Sequence, residues 1–153
     1  MQVLAPPRAL DVPKVRTFMG LMELYEQNYI RVRRLCAAAP GLPVGAHRLS
    51  ERPGALDLHL RVVERTRYTE TLLLTYYLQE DAVGFSPVPN LYVRVFNDAR
   101  QAEVLSRVCA RTRMRVTPRS FGLDSELTCK WRLNRFLYKW LGYCLHQGHR
   151  FGP

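Results

Sequence analysis

The sequence predicts an α+β domain in which an antiparallel sheet of four to five strands is flanked in sequence by long N-terminal and C-terminal helices. Two periodicities predict it: apolar residues recur at every second position in short central runs, and at every third or fourth position towards both ends. With 153 residues, 47% of them hydrophobic, the chain is long enough to bury a core. We therefore expect a single domain over residues 13–153, preceded by a flexible arm over residues 1–12.

The first long helix is predicted over residues 14–38, and prolines and glycines end it. Arg31, Arg33 and Arg34 lie in its last turns, where they either complement the helix dipole or form a basic patch for an anionic partner. One apolar stripe at helical spacing supports the helix, and it is made of Phe18, Leu21, Met22, Tyr25, Tyr29, Val32 and Cys36.

The central stretch, residues 56–78, is typical of a β-hairpin, because apolar and polar residues alternate in both of its runs. Its connection, residues 64–69, is rich in charge where Gly or Asn would make an easier turn, so either the strands are continuous with a bulge or this loop is specialised. A short strand is expected before it over residues 46–51. Another is expected over residues 91–96, beyond a loop that contains Gly84, Pro87 and Pro89.

The segment after the last of these strands has two interpretations. Asp98 is suited to cap a helix that starts at residue 99, and residues 99–109 form either such a short helix, which we favour, or another strand. Residues 111–117 predict an edge strand with an arginine-coated face, which either binds an anion or prevents pairing with other sheets.

The C-terminal helix is predicted after the chain break at Pro118 and Gly122, with Asp124 or Ser125 as its cap. Gly148 ends it. Its wide apolar face consists of Leu127, Trp131, Leu133, Phe136, Leu137, Trp140, Leu141, Cys144 and Leu145.

The formal net charge of +10 predicts attraction to phosphate-bearing or acidic partners. Only three of the 23 basic residues are lysines, namely Lys14, Lys130 and Lys139. Arginine forks grip phosphate and carboxylate at two points, which favours anion recognition; the codon supply of a GC-rich genome is the other explanation. The sequence carries neither an apolar run that spans a membrane nor a signal-peptide pattern, so we expect a cytoplasmic protein without membrane contact.

The cysteine and histidine pattern predicts no metal site and no cofactor. Cys36, Cys109, Cys129 and Cys144 are scattered, as expected of reduced buried thiols, although a disulfide or redox role is the alternative. His146 and His149 are three residues apart, but a third and fourth zinc ligand are not arranged nearby in sequence.

The predicted binding surface depends on where the helices lie. If both helices cover one face of the sheet, the other face presents arginines interleaved with aromatic rings, a pattern typical of surfaces that stack bases. If one helix covers each face, Tyr92 and Phe96 are ordinary core residues. The predicted anion or ligand site consists of Arg61, Arg65, Arg67, Tyr68, Tyr92 and Arg94.

These observations predict a non-catalytic binding or regulatory protein that recognises an anionic partner, either nucleic acid or a nucleotide-type ligand. A protein-interaction adaptor is the first alternative, with Trp131, Trp140 or Tyr143 exposed on the last helix. A small hydrolase-type enzyme is the second, and its acid-base residues are to be found among Glu64, Asp98 and Glu103.

Four segments resemble a known family. They are LMELYEQNYIRVRRL at 21–35, ERTRYTETL at 64–72, LYVRVFNDARQAEV at 91–104 and NRFLYKWLGYCLHQG at 134–148. In order and spacing they are similar to the YqiB-like proteins of Proteobacteria, a domain of unknown function numbered 1249. The resemblance implies a cytosolic bacterial protein. It implies no reaction and assigns no catalytic residue.

Overall fold

The computed structural model describes residues 17–80, 84–105 and 122–152. In this part of the chain, two long helices flank five strands in sequence. Helix α1 spans Phe18–Leu35, and a short 3-10 turn follows at Ala39–Gly41. Helix α2 spans Gly122–His146. The strands between them are β1 His47–Ser50, β2 Leu58–Arg65, β3 Thr69–Glu80, β4 Gly84–Phe96 and β5 Gln101–Val104. The predicted α+β class is confirmed.

The sheet is an antiparallel meander with strand order β1-β2-β3-β4-β5, so each strand pairs with its neighbour in sequence. The predicted hairpin is β2 and β3, and its turn is closed by a hydrogen bond of 2.8 Å from the Thr66 amide to the Thr69 carbonyl. A β-bulge interrupts the register of this pair between Val62 and Glu64.

Both helices pack on the same face of the sheet. Val32 and Leu35 of α1 and Leu137 and Leu141 of α2 are fully buried in one hydrophobic cluster with the apolar sheet face. That face carries Leu58, Leu60, Val62, Leu72, Leu74, Tyr76, Val93 and Val95. Because one face takes both helices, the alternative with one helix on each face is wrong for the described residues.

Polar contacts fix the two helices in position. The Arg31 guanidinium of α1 donates 2.6 Å to the Tyr138 carbonyl of α2 and lies 3.6 Å from the centre of the Tyr138 ring. Asn134 of α2 is buried, and its Oδ1 accepts a 2.9 Å hydrogen bond from the Val104 amide of β5. Helix α2 is thereby anchored to α1 and to the sheet edge formed by β5.

The loop predicted around Pro87 and Pro89 is wrong. β3 continues to Glu80 and β4 begins at Gly84, so this stretch is paired strand. Proline lacks the amide donor of a sheet ladder and is therefore confined to edges. Among the described residues β5 pairs only with positions 93–96 of β4, so no described strand pairs with the other side of the first half of β4, where both prolines lie.

The helix favoured over residues 99–109 is also wrong, because Gln101–Val104 is strand β5. Ala102 and Val104 are buried opposite Val95 and Val93, and this packing overrides the local helical pattern. The preceding turn requires a left-handed residue, which is Arg100 with φ of 54°. The rest of that segment and the strand expected over 111–117 lie outside the described residues.

The helix ends differ from expectation. α1 starts with Thr17 as its cap, whose Oγ1 accepts 2.9 Å from the Gly20 amide, and it ends at Leu35, three residues before the predicted boundary. α2 already includes Gly122, so Asp124 and Ser125 lie inside the helix. The arm predicted over residues 1–12 is outside the described residues.

The described cysteines are of two kinds. Cys36 and Cys144 are free and buried, and burial raises the pKa of the Cys144 thiol to about 11, so both are inert core residues. Cys129 is disulfide-bonded, which corrects the expectation of a reduced thiol there. Neither described helix has the length and apolar character needed to cross a bilayer.

Candidate anion-binding surface

The outer face of the sheet, meaning the face opposite both helices, carries three of the six predicted site residues. Arg61 of β2 lies opposite Leu73 of β3, and Leu73 lies opposite Tyr92 of β4. Residues paired in register point to the same side of a sheet. Arg94 is two positions along β4 from Tyr92 and therefore shares this face. The alternation in the sequence thus brings Arg61, Tyr92 and Arg94 together.

Their spacing suits a flat ligand. Strands in a sheet are about 4.8 Å apart, so the backbones of Arg61 and Tyr92, two strands apart, are separated by roughly 10 Å. Arg94 is roughly 7 Å further along β4. The Tyr92 side chain is 42% exposed, Arg61 is exposed and Arg94 is half-buried. A ring stacked on Tyr92 therefore lies within reach of both arginine side chains.

Two histidines extend the outer face towards β1. His47 Nε2 and His59 Nδ1 are 2.9 Å apart, and their rings are stacked with centroids separated by 5.1 Å. His47 lies opposite Arg61 in the register. Burial, and then the neighbouring His47, lower the pKa of His59. His47 is not among the predicted site residues, and only the pairing of its short strand with β2 places it on this face.

Arg67 and Tyr68 lie in the turn between β2 and β3, at one end of the sheet. Both are exposed, and the Arg67 Cζ is 5.2 Å from the centre of the Tyr68 ring. The Tyr68 carbonyl accepts a 2.8 Å hydrogen bond from the Asn97 amide, which ties the turn to the end of β4. The pair is a second exposed combination of cation and ring, separate from Arg61 and Tyr92.

Arg65 points to the helix side of the sheet. The bulge after Val62 adds a residue to β2, so Glu64 takes the outer face and Arg65 the inner one. The Arg65 guanidinium donates to the carbonyls of Leu42 and Ala39 at 2.5 and 2.6 Å, and to Glu70 at 3.2 Å. Its binding role stays a prediction, but these bonds already engage both terminal nitrogens.

The carboxylates considered for a hydrolase do not converge. Glu64 on β2 and Glu103 on β5 occupy the same row of the sheet, three strand spacings or about 14 Å apart. Asp98 is exposed in the turn before β5. Glu103 is hydrogen-bonded to the Tyr25 hydroxyl. Burial, and then the charge and hydrogen bond of Glu103, raise the pKa of that hydroxyl.

The aromatic residues considered for an adaptor divide into core and surface. Trp131 and Trp140 are buried, at 4% and 7% exposure, and Trp140 packs edge-to-face on Tyr76. Tyr143 is 52% exposed, and Phe136, one heptad earlier on α2, is 47% exposed. The exposed aromatic surface of α2 is therefore limited to these two rings among the residues considered.

The described residues hold no group of three or more His, Cys, Asp and Glu side chains arranged for a metal ion. His149 is instead a buried structural residue. It is fully buried and shares a 2.8 Å hydrogen bond between its Nδ1 and the Ser50 Oγ.

Comparison with known proteins agrees with the four segments that first indicated a family. Residues 32–150 match the family described as "Protein of unknown function (DUF1249)". The chain is 34% identical over 134 residues to "Uncharacterized protein YqiB" of Escherichia coli (strain K12), which covers 86% of this chain and 90% of that protein. The protein of the same name from Escherichia coli O157:H7 has the same identity and coverage. No solved structure gives a significant match. The chain therefore belongs to the DUF1249 family.

Proposed function

We propose that this protein is a non-catalytic, cytoplasmic binding or regulatory protein whose outer sheet face recognises an anionic partner, either nucleic acid or a nucleotide-type ligand. One observation carries the proposal: Arg61 and Tyr92 share a row on the face that neither helix covers, and Tyr92 is 42% exposed there. An exposed tyrosine ring offers a face on which a base can stack.

The recognition would divide between charge and stacking. The guanidinium groups of Arg61 and Arg94 form charge-assisted hydrogen bonds to phosphate oxygens, while the Tyr92 ring stacks on a base. Arg67 and Tyr68 offer the same pair of contacts at the end of the sheet. A ligand that extends along the face therefore meets two cation-and-ring combinations, whereas a mononucleotide meets one.

The charge distribution limits where a phosphate would sit. Arg94 lies in register with Glu103, and Glu64 occupies the other end of that row. The row of Arg61 has no acidic residue among its partners Leu73, Tyr92 and His47. Arg61 is therefore the stronger phosphate contact, and the row of Tyr92 is the centre of the proposed surface.

Fluorescence anisotropy with a labelled single-stranded oligonucleotide tests the proposal. Tyr92→Ala should cost about 1–3 kcal/mol of binding free energy, the usual value of one base stacked on an aromatic ring. Arg61→Gln should weaken binding and reduce the dependence of log Kd on log salt by about one phosphate contact.

Arg132→Gln is the matched control, because Arg132 is exposed on α2 in the helix layer and its replacement removes the same charge. Equal losses for Arg61→Gln and Arg132→Gln, with no loss for Tyr92→Ala, would mean that net charge alone attracts the oligonucleotide. Binding unchanged between low and moderate salt would contradict nucleic acid as the partner.

A further inference from the structure

A second basic site lies in the helix layer, at the end of α1. A cavity of about 390 Å³ opens between α1 and the C-terminal segment, and it is lined by Arg33, Arg34, Ala37, Arg150, Phe151 and Gly152. Half of the lining residues are arginines and none is acidic. The cavity is therefore strongly electropositive.

The backbone holds these arginines together. The Phe151 amide donates 2.7 Å to the Leu35 carbonyl, and the Ala38 amide donates 2.9 Å to the Phe151 carbonyl. Gly152 has φ of 111°, and a Cβ there would lie 2.7 Å from the Ala38 amide nitrogen, so the segment presses directly on the end of the helix. These contacts hold the neighbouring Arg150 beside the end of α1.

Two of the three arginine charges in the cavity have no ion-pair partner among the described residues. Arg34 and Arg150 are exposed, and neither side chain makes an ion pair with another described residue. Arg33 is bound to Glu70 through Nη2, yet its Nη1 is buried without a hydrogen-bond partner among the described residues. The dipole of α1 accounts for cations in its own last turn, but Arg150 comes from a different segment. Arginines from two segments that line one cavity favour an anion bound between them.

We propose that this cavity binds the phosphate group of a small phosphate monoester, through the guanidinium forks of Arg34 and Arg150 with the charge of Arg33 behind them. Two forks approaching from different segments fit an oxyanion with three terminal oxygens better than a carboxylate, which one arginine fork already saturates. The volume exceeds what a bare phosphate ion fills, so it leaves room for the organic part of an ester. The site is independent of the outer sheet face, because it lies in the opposite layer.

Isothermal titration calorimetry of the full chain with inorganic phosphate tests this site. We expect saturable binding at constant ionic strength. In a separate thermal denaturation, phosphate should raise the Tm more than sodium chloride of equal ionic strength does. The double variant Arg34→Gln/Arg150→Gln should weaken phosphate binding at least tenfold, and each single variant should weaken it less. Both residues are exposed, so circular dichroism of the variants should match the unaltered protein.

Arg132→Gln on α2 is the control, because Arg132 is exposed and lines neither site, and it should bind phosphate as the unaltered protein does. Arg150→Lys keeps the charge without the fork and should bind phosphate with intermediate affinity. Phosphate that stabilises no more than chloride, or that binds the double variant with unchanged affinity, would overturn the proposal. Loss of phosphate binding in Arg61→Gln alone would also overturn it, by moving the anion to the outer face.

Discussion

Glu70 of β3 receives a 2.6 Å salt bridge from Arg33 of α1 and is itself only 1% exposed. Arg65 of β2 binds the other carboxylate oxygen at 3.2 Å. A buried carboxylate thus joins a helix to two adjacent strands, directly beneath the end of the sheet where Arg67 and Tyr68 are exposed.

Removal of the Glu70 carboxylate should destabilise the protein strongly. In Glu70→Ala two partly buried guanidinium groups lose their counter-ion, and we expect the free energy of unfolding to fall by about 3 kcal/mol. Urea denaturation measures it. Glu64→Ala, an exposed acid on the same hairpin, should change the free energy of unfolding by less than about 0.5 kcal/mol. Similar small effects of the two substitutions would mean that the bridge contributes no stability.

Protonation of His149 should make stability depend on pH. Burial, and then Arg52, lower the pKa of His149 below its ordinary value, so the folded protein favours the neutral ring. In the unfolded chain His149 takes up its proton near pH 6.5. The contribution of the neutral ring to the free energy of unfolding is therefore complete above that pH and falls as the pH drops below it. Denaturant titrations between pH 7.5 and 5.5 should show this decline, and His149→Gln should be less stable but show a shallower decline. An unaltered slope in the variant would assign the pH dependence to other groups.

Acid should strengthen binding at the outer face. Burial, and then the neighbouring His47, lower the pKa of His59, so the His59 ring is neutral at neutral pH and gains positive charge on the face of Arg61 only below its ordinary value of 6.5. Oligonucleotide affinity measured by anisotropy should therefore rise from pH 7.5 to pH 5.5. His59→Gln should reduce this rise. His146→Gln should not, because His146 is exposed on α2, away from the outer face. An equal rise in both variants would place the titrating group elsewhere.

Gly152 should be required for the C-terminal segment to pack. An alanine there is strained at φ of 111°, and its Cβ would approach the Ala38 amide nitrogen to 2.7 Å. We expect Gly152→Ala to accelerate hydrogen exchange of the Phe151 amide, which is bonded to Leu35, and to weaken phosphate binding although no arginine is removed. Gly41→Ala is the control, since a Cβ at Gly41 meets nothing within 4 Å. Unchanged Phe151 exchange in Gly152→Ala would show that the segment accommodates the methyl group.

The sequence predicted the sheet where local alternation continues without interruption. The β2–β3 hairpin and the pairing of β4 with β3 through Val93 follow directly from a period of two. The first half of β4 was missed because prolines are rare inside strands, and its pairing with β3 is seen only in the assembled sheet. β5 was only the less favoured of two interpretations, because four residues are too short for a period to be recognised.

The candidate site was predictable only as far as the alternation held. Arg61, Tyr92 and Arg94 share a face because no irregularity lies between them in register. Arg65 changed sides because a single bulged residue inverts the alternation, and the charged residues of that stretch indicated a bulge only as one of two alternatives, without its position. The cavity at Arg150 joins segments over a hundred positions apart in sequence, beyond the reach of any local pattern.

The most direct test of the outer face as the binding surface is an amide chemical-shift titration of the labelled protein with a single-stranded oligonucleotide. We expect saturable shifts at Arg61, Leu73 and Tyr92, with the amides of α2 around Arg132 and Tyr143 unmoved. Shifts confined to α2, with the row of Tyr92 unaffected at saturation, would contradict it.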